Sequence, residues 1–407
     1  MSLLDADIAW TRVGDCYAIT KKPHGLNTKT VAEIPFAAME AIPQGGAYEP
    51  TFTLKEARSI NSGTYFERGD ILVSKITPSF ENGKQALVRA LPQAFGYATT
   101  EVIPLRPSVE GQDPRLLFFY LLHPDIRHYV AERMEGSTGR QRVPEDVLLD
   151  LPVPVIAPQE QTAMADALET IQSAVASERT AESAAQELKR AAMRELFTRG
   201  LRGEAQKETE IGLVPESWDV LAVSESVTPF RFERSKQIPK SGYSATGRWP
   251  VVDQGQQIIA GYTDDEQKII TSKKPLIIFG DHTRAFKYVD FEFALGADGT
   301  KPLLAADGFH PKFLFFALSA LDVPSRGYNR HYKVLAEKRV PKPSVDEQQE
   351  IVAILDAIDR KIDLHRQKRA VLEELFKALL HKLMTGEIRV DQLDLSALTP
   401  IEERTSP

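Results

Sequence analysis

An α+β chain built twice over is what this sequence predicts: two globular segments, each followed by a long helix. The two helices are expected to pack as an antiparallel coiled coil, with an internal pseudo-two-fold repeat. Three observations carry this. A stretch of about fifty residues occurs twice, at 151–199 and 338–387, offset by 187 positions without a gap for some forty residues. In the second copy Ile351, Leu355, Ile358, Ile362, Leu372, Phe376, Leu379 and Leu383 recur in alternating steps of four and three, interrupted at His365 and Arg369. That is a coiled-coil seam, narrower than the apolar stripe of an ordinary core helix. The segments outside the copies mix strand-like and helical runs with no βαβ alternation, so a doubly wound sheet is not expected.

Within the repeat, Val153-Pro154 falls on Val340-Pro341, Glu160-Gln161 on Glu347-Gln348, Leu168 on Leu355, Ile171 on Ile358, Leu188 on Leu375, Leu196 on Leu383 and Thr198 on Thr385. A period this long means a duplicated unit, not a solenoid. Each copy opens with a proline-punctuated strand or turn, where a helix cannot run. Neither then contains Gly or Pro until Gly200 or Gly386, the expected helix stops. About forty residues at ~1.5 Å each make a rod of roughly 60 Å. One such helix could lie alone on a globular surface. Two equal rods, each with its own seam, argue for packing on each other.

Taken in order, residues 1–152 form the first globular segment. Trp10 sits in a short β-like opening, and Pro43, Gly45, Gly46 and Pro50 mark loops. Strand-like runs follow at 70–76, 86–88 and 100–105, helical runs at 115–122 and 126–134, and then the loop GSTGRQRV at 136–143. The first rod occupies 153–200. The second segment, 201–340, repeats the plan with different residues: Trp218 near its entrance, strand-like runs at 250–252, 268–271, 275–279 and 291–295, a helical run at 313–321 and the loop GYNRHYKV at 327–334. The second rod occupies 341–387, and 388–407 form a tail.

Bulk properties bound the function more loosely. The chain has 407 residues, room for two or three domains. A single cysteine, Cys16, rules out a disulfide framework and a thiolate zinc site and makes the cytoplasm the expected compartment. The start, MSLLDADIAWTR, lacks a secretory pattern, and no uncharged run reaches the ~20 residues of a membrane span. The net charge of −7 divides into −3 for 1–150, −3 for 151–211, +3 for 212–343 and −4 for 344–407. The rods and tail carry the excess acidity. Binding to nucleic acid needs a local basic face, not a basic chain, so charge decides nothing here.

Signatures of chemistry are missing. There is no G-x-x-x-x-G-K-[ST]; GADGTK at 296–301 has the composition without the spacing. Neither an Asn-Pro-Pro-aromatic run nor a dinucleotide-type glycine loop occurs. Asp70 and Lys75 share one strand but lack the partner acid of a nuclease, and Asp281-His282 has no His or Cys at ligand spacing. No catalytic or metal site is expected. If the chain touches a nucleic acid, the residues best suited to it lie in the two loops that precede the rods: Arg140 and Arg142, whose alternation would point both to one side of an extended loop, and Tyr328, Asn329, Arg330, His331, Tyr332 and Lys333. Lys84, Arg231, Arg234 and Arg284 are further candidates, for phosphate. The plainer reading is that these loops lead the chain into the rods and their arginines pair with acidic side chains.

The order and double occurrence of these motifs resemble the specificity (S) subunit of type I restriction–modification systems, over essentially the whole length. The residues that carry the likeness are Val153-Pro154 with PQEQ at 158–161, VPKP at 340–343 with DEQ at 346–348, the GSTGRQR loop at 136–142, GDILVS at 69–74 and FGDHT at 279–283. The second pre-rod loop departs from the pattern of the first. The resemblance implies two target recognition domains, each reading one half of a bipartite, asymmetric DNA site, with the helices as a ruler between them. It implies no chemistry of the chain's own and no cofactor bound by it. Two methyltransferase (M) subunits would use S-adenosylmethionine, and restriction (R) subunits, joining the assembled complex, would use ATP and Mg²⁺. A coiled-coil adaptor that binds protein without DNA specificity and a self-contained nuclease or methylase are the competing readings. Missing motifs count against the enzyme.

The polar breaks in the seam lead to a register expectation. Shifting the second seam back by 187 gives Met164, Leu168, Ile171, Val175, Glu178, Glu182, Ala185, Lys189, Ala192 and Leu196. Antiparallel packing would set Glu178 against Arg369 and Glu182 against His365; parallel packing would set Glu178 by His365. Ile358 would oppose Lys189. Opposite charges in a seam specify register more than they stabilise it.

Overall fold

The computed structural model describes residues 8–398, apart from 46–47, 138, 326 and 328. The chain forms two compact units, residues 1–181 with 365–407 and residues 182–364, so the division falls within both rods and not at their ends.

The first unit contains β1 (Trp10–Arg12), α1 (Val13–Cys16), β2 (Tyr17–Ile19), β3 (Glu33–Ala37), β4 (Thr53–Glu56), β5 (Thr64–Glu67), β6 (Ile71–Ser74), β7 (Gln85–Leu87), β8 (Phe95–Ala98), β9 (Val102–Pro107), α2 (Pro114–Tyr120), α3 (Pro124–Ala131), α4 (Glu145–Leu149), β10 (Pro152–Pro154) and the start of the first rod, α5 (Pro158–Arg199). The second unit takes up the end of α5 and continues with β11 (Gln206–Thr209), β12 (Gly212–Pro215), β13 (Asp219–Ala222), α6 (Val223–Ser226), β14 (Val227–Pro229), β15 (Trp249–Val252), β16 (Gly261–Thr263), β17 (Ile269–Ile270), β18 (Leu276–Gly280), β19 (Phe286–Val289), β20 (Phe293–Leu295), β21 (Thr300–Ala305), α7 (Pro311–Ser319), α8 (Tyr332–Glu337), β22 (Arg339–Lys342) and the start of the second rod, α9 (Val345–Met384).

The duplication extends into the globular parts. In the first domain the sheets run β2-β9-β6-β7 and β4-β3-β8-β5; in the second they run β14-β21-β18-β19 and β16-β15-β20-β17. The parallel pairs, β3 with β8 and β15 with β20, fall at the same place in otherwise antiparallel sheets. In both domains the strand at the entrance pairs with the strand leading into the rod, β1 with β10 and β13 with β22.

The central strands read as continuous apolar runs because both their faces are covered. Ile71 and Val73 join the core shared with α2 and the rods, while Leu72 faces the second sheet with Ala37, Phe66 and Ala98. Ile277 and Phe279 pack with α7, while Leu276 and Ile278 meet Val252, Phe293 and Leu295.

Each domain is fastened to its rod by the Gln that opens the repeat. Gln161 Oε1 accepts the Asp113 backbone N–H (3.0 Å) and its Nε2 donates to the Ile156 carbonyl (2.8 Å). Gln348 Oε1 accepts the His310 N–H (2.7 Å), and its Nε2 donates to the Gly308 and Pro343 carbonyls (2.9 Å each). Asp113 and His310 are the N-cap residues of α2 and α7, so the N-cap and entry-segment bonds of the staple repeat, and Gln348 adds the bond to Gly308. Equivalent ion pairs flank it: Arg115 with Glu169 (2.8 Å) and Lys312 with Asp356 (2.8 Å).

All ten seam positions of each rod are buried or half-buried. The rods run antiparallel within each unit. Met164, Leu168, Ile171 and Val175 share a core with Leu372, Phe376, Leu379 and Leu383, while Leu196 packs near Ile351 and Leu355. Lys189, expected opposite Ile358, reaches the next residue, Asp359 (2.6 Å), and lies 4.9 Å from the centre of the Phe316 ring. The equivalent spot in the first unit is filled by Phe376 against Phe119.

The register expectation needs correcting at its centre. His365 Nδ1 lies 2.5 Å from Glu178 Oε2, and Lys368 approaches the other oxygen at 3.9 Å. His365 was expected against Glu182, and Glu178 against Arg369. In antiparallel helices a side chain enters the gap between two partner residues one turn apart, so counting opposite positions leaves a one-turn ambiguity. Glu182 is buried and accepts from Gln186 (3.0 Å); Arg369 is half-buried. Gly200 (φ 60°) and Gly386 (φ 71°) end the rods in the left-handed conformation, as expected from the sequence.

In the first unit His123 caps α3 by accepting the Asp125 N–H at Nδ1 (3.1 Å), so its Nε2 carries the proton and donates to His381 Nδ1 (3.1 Å). Burial, against a smaller opposing pull from Asp125, pushes His123 down to about 4.

Two predictions follow from these contacts. Gln348→Leu should leave a buried N–H and two carbonyls unpaired and cost about 1–3 kcal/mol, read by chemical denaturation of the full chain; wild-type stability would refute the staple. For His123, the unfolded chain binds a proton below its ordinary value near 6.5 while the folded chain resists until about 4. Stability should therefore be complete above pH 6.5 and fall as pH drops through that window, by at most about 3 kcal/mol. The difference in denaturation midpoint between pH 7 and pH 5 should shrink in His123→Gln.

Candidate nucleic-acid interface

In each domain the pre-rod loop is pinned to the end of the central strand. In the first, the Val143 N–H donates to the Lys75 carbonyl (2.8 Å) and the Thr77 N–H to the Gln141 carbonyl (3.1 Å). In the second, the His331 N–H donates to the Asp281 carbonyl (2.9 Å) and the Tyr332 N–H to the Asp281 carboxylate (2.7 Å), which caps α8. The DHT turn after β18 thus has a structural purpose: Asp281 is buried and occupied.

The first loop is less extended than its alternation suggested. The Arg140 N–H closes a turn on the Ser137 carbonyl (2.8 Å), whereas Arg142 forms a bridge with Glu135 and Ile76. Arg140 is exposed and has no ion-pair partner among the described residues. Arg142 pairs bidentately with Glu101 (2.9 and 2.7 Å), which holds the Glu101 carboxyl below the usual range by the hydrogen bond and the guanidinium charge. In the second loop Arg330 pairs with Asp298 (3.2 Å). Glu101 and Asp298 occupy the same inter-strand turn, β8–β9 in one domain and β20–β21 in the other. An Arg–carboxylate clamp therefore recurs, as the plainer reading of these arginines allowed, though the acids belong to the domains and not to the rods.

Other candidates divide. His331 is fully buried, its Nδ1 2.8 Å from the Asp281 carbonyl, so it holds the loop rather than facing a ligand. Asn329 and Lys333 are exposed, Tyr332 is half-buried, and Tyr328 lies outside the described residues. Lys84 donates to the Met39 carbonyl (2.9 Å). Lys287, buried in the second domain, does the same to Asp253 (2.7 Å). Both lysines leave the hairpin of the central strand to hold the loop that follows β3 or β15. Arg284 adopts φ 62° and donates to the Val323 carbonyl (2.9 Å). Arg231 and Arg234 are exposed.

Asp70 is buried and accepts from Thr20 (2.9 Å), the Glu67 N–H (2.8 Å) and Arg106 (2.9 Å); it ties the sheet together. Among the described residues no group of three His, Cys, Asp or Glu could hold a metal ion, and no helix is long and apolar enough to cross a membrane. The sequence reading overlooked the loop at 253–260. Its only signal was a pair of isoleucines in a Gly- and Gln-rich turn.

Comparison with known proteins agrees with this anatomy. A model of the type I restriction modification DNA specificity domain matches residues 215–374. The MjaX type I restriction enzyme specificity subunit of Methanocaldococcus jannaschii is 24% identical over 340 residues, covering 79% of this chain and 79% of its own. The EcoAI specificity subunit of Escherichia coli is 34% identical over 132 residues, 32% of this chain and 22% of its own. Among solved structures, the S subunit of a type I restriction–modification system from M. genitalium has a TM-score of 0.56 at 16% identity, covering 94% of this chain and 97% of its own. A chain from a structure reported for assembly and conformational transition of a type I system has the same TM-score at 17% identity, covering 93% and 98%. These last two likenesses concern the fold.

The two arginines of the first loop should behave differently. Arg140→Ala should leave thermal unfolding unchanged and weaken binding to a specific duplex, by about 1–3 kcal/mol if the contact is bidentate to a base. Arg142→Ala, which removes a pair that is 57% exposed on the arginine side, should leave thermal unfolding close to wild type, because solvent screens the pair. Unchanged affinity and salt dependence in the Arg140 variant would leave that residue a turn former.

Proposed function

The chain belongs to the family of type I restriction–modification specificity subunits, and from that membership we propose that it reads one bipartite, asymmetric DNA site, one half with each globular domain. The observation that carries the division is the repeated strand order: two domains of one topology present different residues in equivalent loops. One scaffold carrying two loop sets suits two unlike half-sites better than one continuous sequence.

The paired rods serve as the ruler. A slip of one heptad would move a reader by about 10 Å, or roughly three base pairs. Glu178 and His365, midway along the rods, are placed to resist such a slip. The rods also offer a surface for partners. Leu188 and Leu375, equivalent under the 187-residue shift, are both exposed. Equivalent apolar positions on the two rods suit two copies of one partner, and we assign them to two M subunits. R subunits would join through the assembled complex. In this reading the chain performs no catalytic step and binds no cofactor; S-adenosylmethionine belongs to M, ATP and Mg²⁺ to R, and the assembly works in the cytoplasm.

Replacing residues 1–150 by the corresponding domain of another family member should change one half of the methylated motif and leave the other half and the spacer length intact. Methylome sequencing of a host carrying the locus reads this directly. A swap that altered both halves, or neither, would defeat the two-reader model. Assembly with M that confers no sequence preference would favour an adaptor.

A further inference from the structure

The loop between β15 and β16 combines a rigid root with an unsatisfied tip. At the root, buried Lys287 donates to the Asp253 carbonyl (2.7 Å) and lies 3.5 Å from the Asp253 carboxylate, which in turn accepts the Gly255 N–H (2.8 Å). Gln254 accepts the His282 N–H (3.2 Å), donates to the Asp298 carbonyl (3.0 Å) and takes a hydrogen bond from Thr283 on its own carbonyl. The Ala260 N–H closes the loop on the Val251 carbonyl (2.8 Å). Packing at the root leaves no slack: a Cβ at Gly296 would lie 2.6 Å from that of Asp253.

The tip is the opposite. Gln256, Gln257, Ile258 and Ile259 are all exposed, the isoleucines by 55% and 37%, and neither Gln amide has a partner among the described residues. An isolated exposed isoleucine needs no explanation. Two of them beside two free amides, on a stalk fixed by a buried ion pair, are a preorganised contact surface. The root shares Asp298 with Arg330 of the pre-rod loop, so the tip and that loop are anchored to one turn of the domain.

We propose that residues 256–259 are the base-reading tip of the second domain. The Gln amides offer the donor–acceptor pair that matches the N6 and N7 edge of adenine in the major groove, and the isoleucines offer apolar contact to a thymine methyl group. The half-site of this domain then contains at least one A·T pair under the tip. This rests on the DNA-reading function above, and it goes further by naming the residues and the base pair they favour.

The test uses the full chain co-expressed with its M subunits. Two double variants, Gln256→Ala with Gln257→Ala and Ile258→Ser with Ile259→Ser, are compared with wild type by methylome sequencing and by binding to duplexes carrying single base changes. Each variant should lose about tenfold discrimination at one or two positions of one half-site, with the other half-site, the melting temperature and assembly with M unchanged. Unaltered preference at every position would overturn the proposal, and so would loss of assembly with M at unchanged preference, which would make the tip a protein contact. A wild-type complex that methylates no bipartite site would instead defeat the DNA-reading function itself.

Discussion

The structure depends on a buried glutamine that must both donate and accept. Where a rod begins, the loop that leads into it has carbonyls to satisfy. At the same place the domain's own helix begins, with its N-cap N–H facing the rod. Gln161 and Gln348 meet these demands at once, accepting from the N-cap of α2 or α7 and donating to carbonyls of the entry segment. A Glu could not donate, and a Leu could do neither. The orientation of each domain on its rod is therefore set by hydrogen bonds to backbone atoms. Such bonds survive wide change in the surrounding side chains.

That separation of anchor from surface explains how two domains can share a topology and differ in loop sequence. The contacts that repeat are the ones that hold: the Gln staple, an ion pair beside it, a lysine bonded to the loop after β3 or β15, and an Arg–carboxylate clamp across the turn before β9 or β21. Even the misfit repeats in place. Lys189 stands where Phe376 stands in the other half, and it is kept by Asp359 and the face of Phe316.

The rods and the central strands were legible in the sequence because their signals are long or unmixed. A seam of ten positions, or a run such as Leu276–Gly280 buried on both faces, has one reading. Strands β4 and β5 did not stand out: TLKE is exposed throughout and TYFE is buried only in its middle, so neither alternates long enough to register. The identity of the two sheet orders was invisible for the same reason, since it lies in pairing and not in residues. For the interface, residue type left the partner of each side chain open. Arg142, His331 and Lys84 have the chemistry of DNA contacts, yet a carboxylate, a buried turn and a backbone carbonyl claim them. Which partner takes a long polar side chain is decided by tertiary distance, and no local pattern encodes that.

The pairing of these cations bears on where affinity comes from. Sequence-independent attraction to DNA arises from phosphates neutralised by free Lys and Arg, whereas base contacts set preference. In this chain two arginines of the pre-rod loops already face carboxylates. Arginines held in that way gain little from counterion release. What it does offer is loops held rigid at their roots, which lowers the entropic cost of ordering them against a base. The physical division is thus between shape and charge: the rooted loops present a fixed pattern of contacts, and phosphate attraction is left to exposed cations such as Arg231 and Arg234.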